Sequence, residues 1–150
     1  MLDFSNKFRQ HLRLIWEVSA LDQEGLSKED QLLVEIMQLH PQYYGLWERL
    51  DEVSNEELQR DGTNPVMHVL IHQIIENQIA GQSPPETAKT LEQLQQQGLS
   101  RHEAVHKIGE VLASDMAEMM QSQQSFDNQR YVQSLRQLVR PRRQRRRRRW

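Results

Sequence analysis

Two stretches of this 150-residue chain carry one pattern, His68-x3-His72-x3-Glu76 and His102-x3-His106-x3-Glu110. Residues at i and i+4 of a helix share a face, with Cβ atoms about 6 Å apart, so each stretch can present two imidazoles and a carboxylate in a row. Zinc or another borderline divalent ion takes nitrogen and oxygen ligands at about 2.0–2.2 Å. Two such helices packed antiparallel would bring four imidazoles and two carboxylates to one seam, His72 facing His106, Glu110 near His68 and Glu76 near His102. The expected ligands are therefore His68, His72, His102 and His106, with Glu110 as a further ligand or as the group that orients one. The chain has no cysteine, so thiolate-ligated zinc and iron–sulfur sites are excluded, and any metal must be held by nitrogen and oxygen.

The histidines of the first pattern sit in the apolar run VMHVLIHQII, where an imidazolium would cost several kcal/mol in desolvation. Such a ring is normally neutral and needs a partner for each nitrogen. A metal supplies one; so does a carboxylate or a tyrosine hydroxyl, and the competing reading is a set of hydrogen-bonded histidines that only fix helix register. His102 falls in the first turn of its helix, where the positive end of the backbone dipole favours the neutral, ligand-ready ring. Of the other histidines, His40 precedes Pro41 and reads as a C-terminal cap partner, and His11 as a surface or boundary residue.

The second pattern contains HEAVH, which matches the zinc-peptidase signature H-E-x-x-H. In a peptidase the glutamate must be free to act as general base on a metal-bound water. Glu103, three residues after Ser100, is instead placed to close a capping box on the first turn of the helix, and no downstream third-ligand motif follows. Proteolysis is therefore not expected. If the site catalyses, metal-assisted hydrolysis is the expected class, with Glu76 or Glu103 as base.

The elements that must position these residues read as helices throughout, because no stretch sustains a two-residue alternation bounded by hairpin turns. The expectation is an all-α fold, a compact bundle of about six helices over residues 1–139, followed by a disordered or extended basic tail over 140–150. The first helix runs from near Ser5 to Leu21 and the second from a Ser27 cap to the His40-Pro41 break. A short third helix holds Tyr43, Tyr44 and Trp47, and the polar stretch DEVSNEELQRDGTNP crosses the surface with one helical turn. Asn64 caps and Pro65 opens the central helix, which Gly81 ends. Ser83 as cap, Pro84 at the first position and Glu86 open the next helix, and Gly98 closes it. The Ser100 helix carries Met116, Met119 and Met120 as core residues, and a last helix holds Tyr131 and Leu135.

The net charge of -2 conceals a split. Residues 140–150 hold eight arginines and no acid, so 11 of the 19 basic residues are left against all 21 acids, about -10 for the body and +8 for the tail. Adjacent like charges prevent the tail from packing. Arg140, Arg142, Arg143, Arg145, Arg146, Arg147, Arg148 and Arg149 would bind RNA, DNA or an acidic protein, with Trp150 stacking on a base. The alternative is a solubilising extension that folds over its own acidic body. No apolar run approaches the length of a membrane span, and the N-terminus lacks the order of basic, apolar and small residues of a cleavable signal, so a cytoplasmic protein is expected. Phosphate-binding glycine loops and Ser/His/Asp orderings are absent.

The blocks HPQYYGLWE, NPVMHVLIHQIIENQIAGQSPPE, SRHEAVHKIGEVLASDMAEMM and YVQSLRQL together resemble a bacterial family known as domain of unknown function 1841, over about residues 5–139. The resemblance implies that His68, His72, His102, His106 and Glu110 are family positions. The family's acidic residue in the first histidine helix falls one place later, where this chain has Asn77, and the arginine tail is not part of its pattern. The family implies no reaction.

Two functions follow as expectations. The first is a helical protein binding one or two divalent ions through its paired histidines; the second is an adaptor acting through its arginine tail, with structural histidines.

Overall fold

The computed structural model describes residues 2–59 and 64–140, with side chains from residue 6 onward. Eight α-helices and one 3-10 turn make up the described residues, and no strand occurs among them. The helices are α1 (Leu2–Asp22), α2 (Lys28–Gln38), α3 (Tyr44–Trp47), α4 (Asn55–Leu58), α5 (Pro65–Gly81), α6 (Pro85–Gln96), α7 (Arg101–Ser122) and α8 (Asn128–Leu138), with the 3-10 turn at Pro41–Tyr43. The all-α expectation holds. The count exceeds six because single turns such as α4 form wherever a cap is present: the Ser54 hydroxyl accepts from the Glu57 amide at 3.1 Å.

The chain divides into two compact units, Met1–Gln73 and Ile74–Trp150, and α5 contributes to both. The first unit has a core of Leu12 and Ile15 from α1, Leu33, Val34, Ile36 and Met37 from α2, and Trp47, Leu50, Val53, Leu58, Val66 and Val69 beyond. Val53 and Leu58 correct the expectation that their polar stretch only crosses the surface: each is 4 % exposed. An average over a polar segment hides the one or two apolar side chains that anchor it, and their burial is favourable whatever surrounds them in sequence.

In the second unit α6, α7 and α8 pack on one another in all three pairings. Thr87, Thr90, Leu91 and Leu94 of α6, Ala104, Val105, Ile108 and Leu112 of α7, and Tyr131 and Leu135 of α8 are buried. The Gln78 side-chain oxygen Oε1 accepts from the Thr87 and Tyr131 hydroxyls, both at 2.8 Å, which satisfies two buried hydroxyls at one point.

Cap chemistry sets most boundaries. Asn64 accepts from the amides of Val66 at 3.0 Å and Met67 at 3.3 Å and so opens α5. Gly98 takes φ +101° after α6, a conformation that favours glycine. The start of α6 differs from expectation: Pro84, not Ser83, is the cap residue, without a side-chain cap bond, and Pro85 takes the first position. A residue before proline is pushed to extended backbone, and Pro84 obeys this with ψ 151°, which delays the helix by one residue. Met120, expected in the core, is 58 % exposed.

Candidate metal centre

Helix α2 must stop where His40 precedes Pro41, because that junction disfavours helical backbone; His40 adopts φ -122°, ψ 68°. Its ring folds back on α2, and Nδ1 lies 2.7 Å from the Ile36 carbonyl oxygen. A carbonyl can only accept, so Nδ1 carries the proton, and in the neutral ring Nε2 holds a bare lone pair. The expected capping role of His40 is thus present, and it also fixes the tautomer that a metal ligand needs.

That Nε2 faces the first histidine pattern. It lies 3.0 Å from Nε2 of His68, which in turn lies 3.2 Å from Nε2 of His72. Asn64 and Pro65 start α5 so that His68 falls in its first turn and His72 one turn later on the same face. His40 and His72 are 0 % and 4 % exposed. The ring centroid of His40 stands 4.7 Å from that of His68 and 4.9 Å from that of His72. Tyr43 stacks on His40 at 6.1 Å and meets Trp47 edge-on at 5.7 Å, so aromatic carbon walls the cluster.

The proton arithmetic of this trio decides what it can do. His40 brings no hydrogen on Nε2, so the 3.0 Å contact to His68 is a hydrogen bond only if His68 Nε2 is protonated. That one proton cannot also satisfy the 3.2 Å contact to His72. Three bare lone pairs around a cation satisfy both contacts at once. Tetrahedral zinc at its usual nitrogen distances sets neighbouring ligand nitrogens about 3.3 Å apart, close to both separations.

In the second unit His102 and His106 stand on α7 with ring centroids 4.1 Å apart, as their spacing requires. Glu110, one turn on, is exposed and lies 3.9 Å from Lys107. Ser100 caps α7, and the capping box is complete: the Glu103 amide donates to Ser100 Oγ at 3.2 Å and the Ser100 amide donates to Glu103 Oε2 at 2.9 Å. Hydrogen bonds from Ser100, its backbone amide first and its side chain second, hold the Glu103 carboxyl below the usual carboxylate range. Glu76 is gripped by Arg101. Both weak candidates for a catalytic base are therefore engaged in structural bonds.

His11, read as a boundary residue, pairs with Asp30 at 2.7 Å on the half-exposed flank of α1. Arg140 is exposed at the end of the described chain. The remaining tail residues singled out in the sequence, Arg142 to Arg149 and Trp150, lie outside the described residues.

Sequence reasoning missed His40 as a ligand candidate. It stands 28 residues from His68 and has no i+4 partner, so no local periodicity marks it. The one available signal was a histidine before proline at a helix end, where the ring must turn back on the last carbonyls.

A family model described as "Domain of unknown function (DUF1841)" matches residues 5–137. No curated protein and no solved structure matches the chain.

Proposed function

We propose, for a chain that belongs to the DUF1841 family, that the protein binds one divalent transition-metal ion through the Nε2 atoms of His40, His68 and His72. The observation that carries this reading is the convergence of three Nε2 atoms, 3.0 Å and 3.2 Å apart in succession, close to the spacing of ligand nitrogens on one tetrahedral ion. The trio includes two of the paired histidines of the sequence, His68 and His72.

The ion is read as structural rather than catalytic, because no carboxylate base of the described residues stands among its three imidazoles. The engagement of Glu76 and Glu103 in bonds elsewhere supports the same reading. The ion's role is then to hold helical segments together, so that binding energy becomes folding energy. Zinc fits the borderline nitrogen donors, and copper or cobalt would also be accepted. A cytoplasmic setting is part of this reading, in keeping with a chain without cysteine.

Titration with cobalt(II) tests the site. Intense visible bands of tetrahedral cobalt saturating at one equivalent are expected, and they should vanish in His72→Ala. Weak octahedral bands, or intense bands unchanged in that variant, would remove the proposal.

A second reading concerns the tail and is independent of the first. The charge split of about +8 against -10 favours a separate role for residues 140–150 in holding a polyanion, nucleic acid before acidic protein, because the body would repel it.

A further inference from the structure

We propose that the pocket around Arg9 in the first unit binds a small anionic oxygen group, a phosphate or a carboxylate. Arg9 is 6 % exposed, and a guanidinium is always charged. Its Nε–H donates to the Leu50 carbonyl at 3.1 Å, Nη2 to the same carbonyl at 2.6 Å and to the Val53 carbonyl, and Nη1 to Asn55 Oδ1 at 3.0 Å. All of these acceptors are neutral. Among the described residues no carboxylate pairs with this buried cation, an arrangement that costs stability unless a counter-charge is supplied.

The bonds also give the remaining donor a direction. Four of the five N–H groups are placed by these bonds, and the fifth is on Nη1, the nitrogen turned toward Asn55. Arg9 lines a pocket of about 350 Å³ with Asn6, Gln10, Asp51, Ser54 and Asn55, within the range of small-ligand sites. Asn55 spends its oxygen on Arg9, which leaves its amide N–H groups to donate. Ser54 Oγ accepts from the Glu57 amide, which leaves its own hydrogen to donate. The acid on the wall, Asp51, is bonded to Arg13 at 2.6 Å, so its charge is met there. A set of donors around an uncompensated guanidinium recognises an acceptor-rich anion.

The experiment compares thermal unfolding of the full chain in inorganic phosphate, in acetate and in chloride at equal ionic strength, for wild type, Gln10→Glu and Gln10→Lys. Gln10 is exposed, so both variants keep the fold, and all three proteins carry the same arginine tail and its background anion binding. In wild type one of the two oxyanions should raise Tm above the chloride value, by about 4 °C at a concentration tenfold above its Kd. The active salt identifies the class. Gln10→Glu should lose the increment, because it supplies the missing charge, and Gln10→Lys should keep or enlarge it. Equal increments in all three proteins, or none in either salt, would overturn the proposal.

Discussion

Arg101 grips Glu76 with both guanidinium ends, Nη1 to Oε1 at 2.6 Å and Nη2 to Oε2 at 2.8 Å. The pair takes the acid of the first His-x3-His-x3-Glu pattern out of the candidate chemistry, since both carboxylate oxygens are occupied. Hydrogen bonding to Glu76 is also the largest cause of the raised Arg101 pKa, which keeps the guanidinium charged. Arg101 is half exposed, so the pair contributes about 1 kcal/mol or less. Glu76→Gln should lower stability by no more than that in denaturant unfolding and leave the metal content unchanged. A loss of bound ion would restore Glu76 as a ligand.

Asp115 supplies the clearest pH dependence. Burial pushes its carboxyl up from the usual aspartate value, Arg130 opposes the shift, and Glu118 and Asp127 add to it. One of its oxygens, Oδ2, is buried without a hydrogen-bond partner among the described residues. The folded chain therefore holds this proton more tightly than the unfolded chain. Stability associated with it is present below the unfolded pKa and is lost as pH rises through the folded one. Asp115→Asn should accordingly raise Tm at neutral pH, while Arg130 keeps its contact with Glu118. The gain should shrink as pH falls through the raised folded pKa and be gone below the ordinary aspartate value. Melts from pH 3 to 7 check this, and a lower Tm at neutral pH would show that Arg130 outweighs burial.

Removal of the ion should destabilise the fold. With free ion a thousandfold above its Kd, binding adds about 4 kcal/mol, so a chelator should lower Tm by roughly 10 °C. Calorimetry with and without chelator measures the difference. An unchanged Tm would mean that the histidines need no ion to hold their geometry.

Deletion of residues 140–150 should abolish RNA binding measured by fluorescence anisotropy, and the wild-type affinity should fall steeply with salt. The same deletion should leave cobalt binding intact, because none of the proposed ligands lies in the tail. RNA binding retained by the deleted chain would place the nucleic-acid contact elsewhere.

Much of this fold could be read from local signals, because caps and i+4 spacing act within one or two turns. Asn64-Pro65, Ser100 with Glu103, and Gly98 mark boundaries that the structure reproduces. The adjacency of His68 and His72 follows from helical geometry alone. Three features were not legible. His40 joins the cluster through a tertiary approach of α2's end to α5. Arg9 finds its carbonyls more than 40 residues away. Pro84 displaces the expected Ser83 cap because Pro85 holds the residue before it in extended backbone, so the second proline and not the first opens the helix.

The central claim is that His40 ligates an ion together with the histidines of α5. Elemental analysis of purified wild type and His40→Ala tests it most directly. The account predicts one divalent transition-metal ion per chain in the wild type and a substantial loss in the variant, with the helical circular dichroism largely kept. A metal-free wild type grown with ample zinc, or a His40→Ala chain that retains a full equivalent, would contradict it.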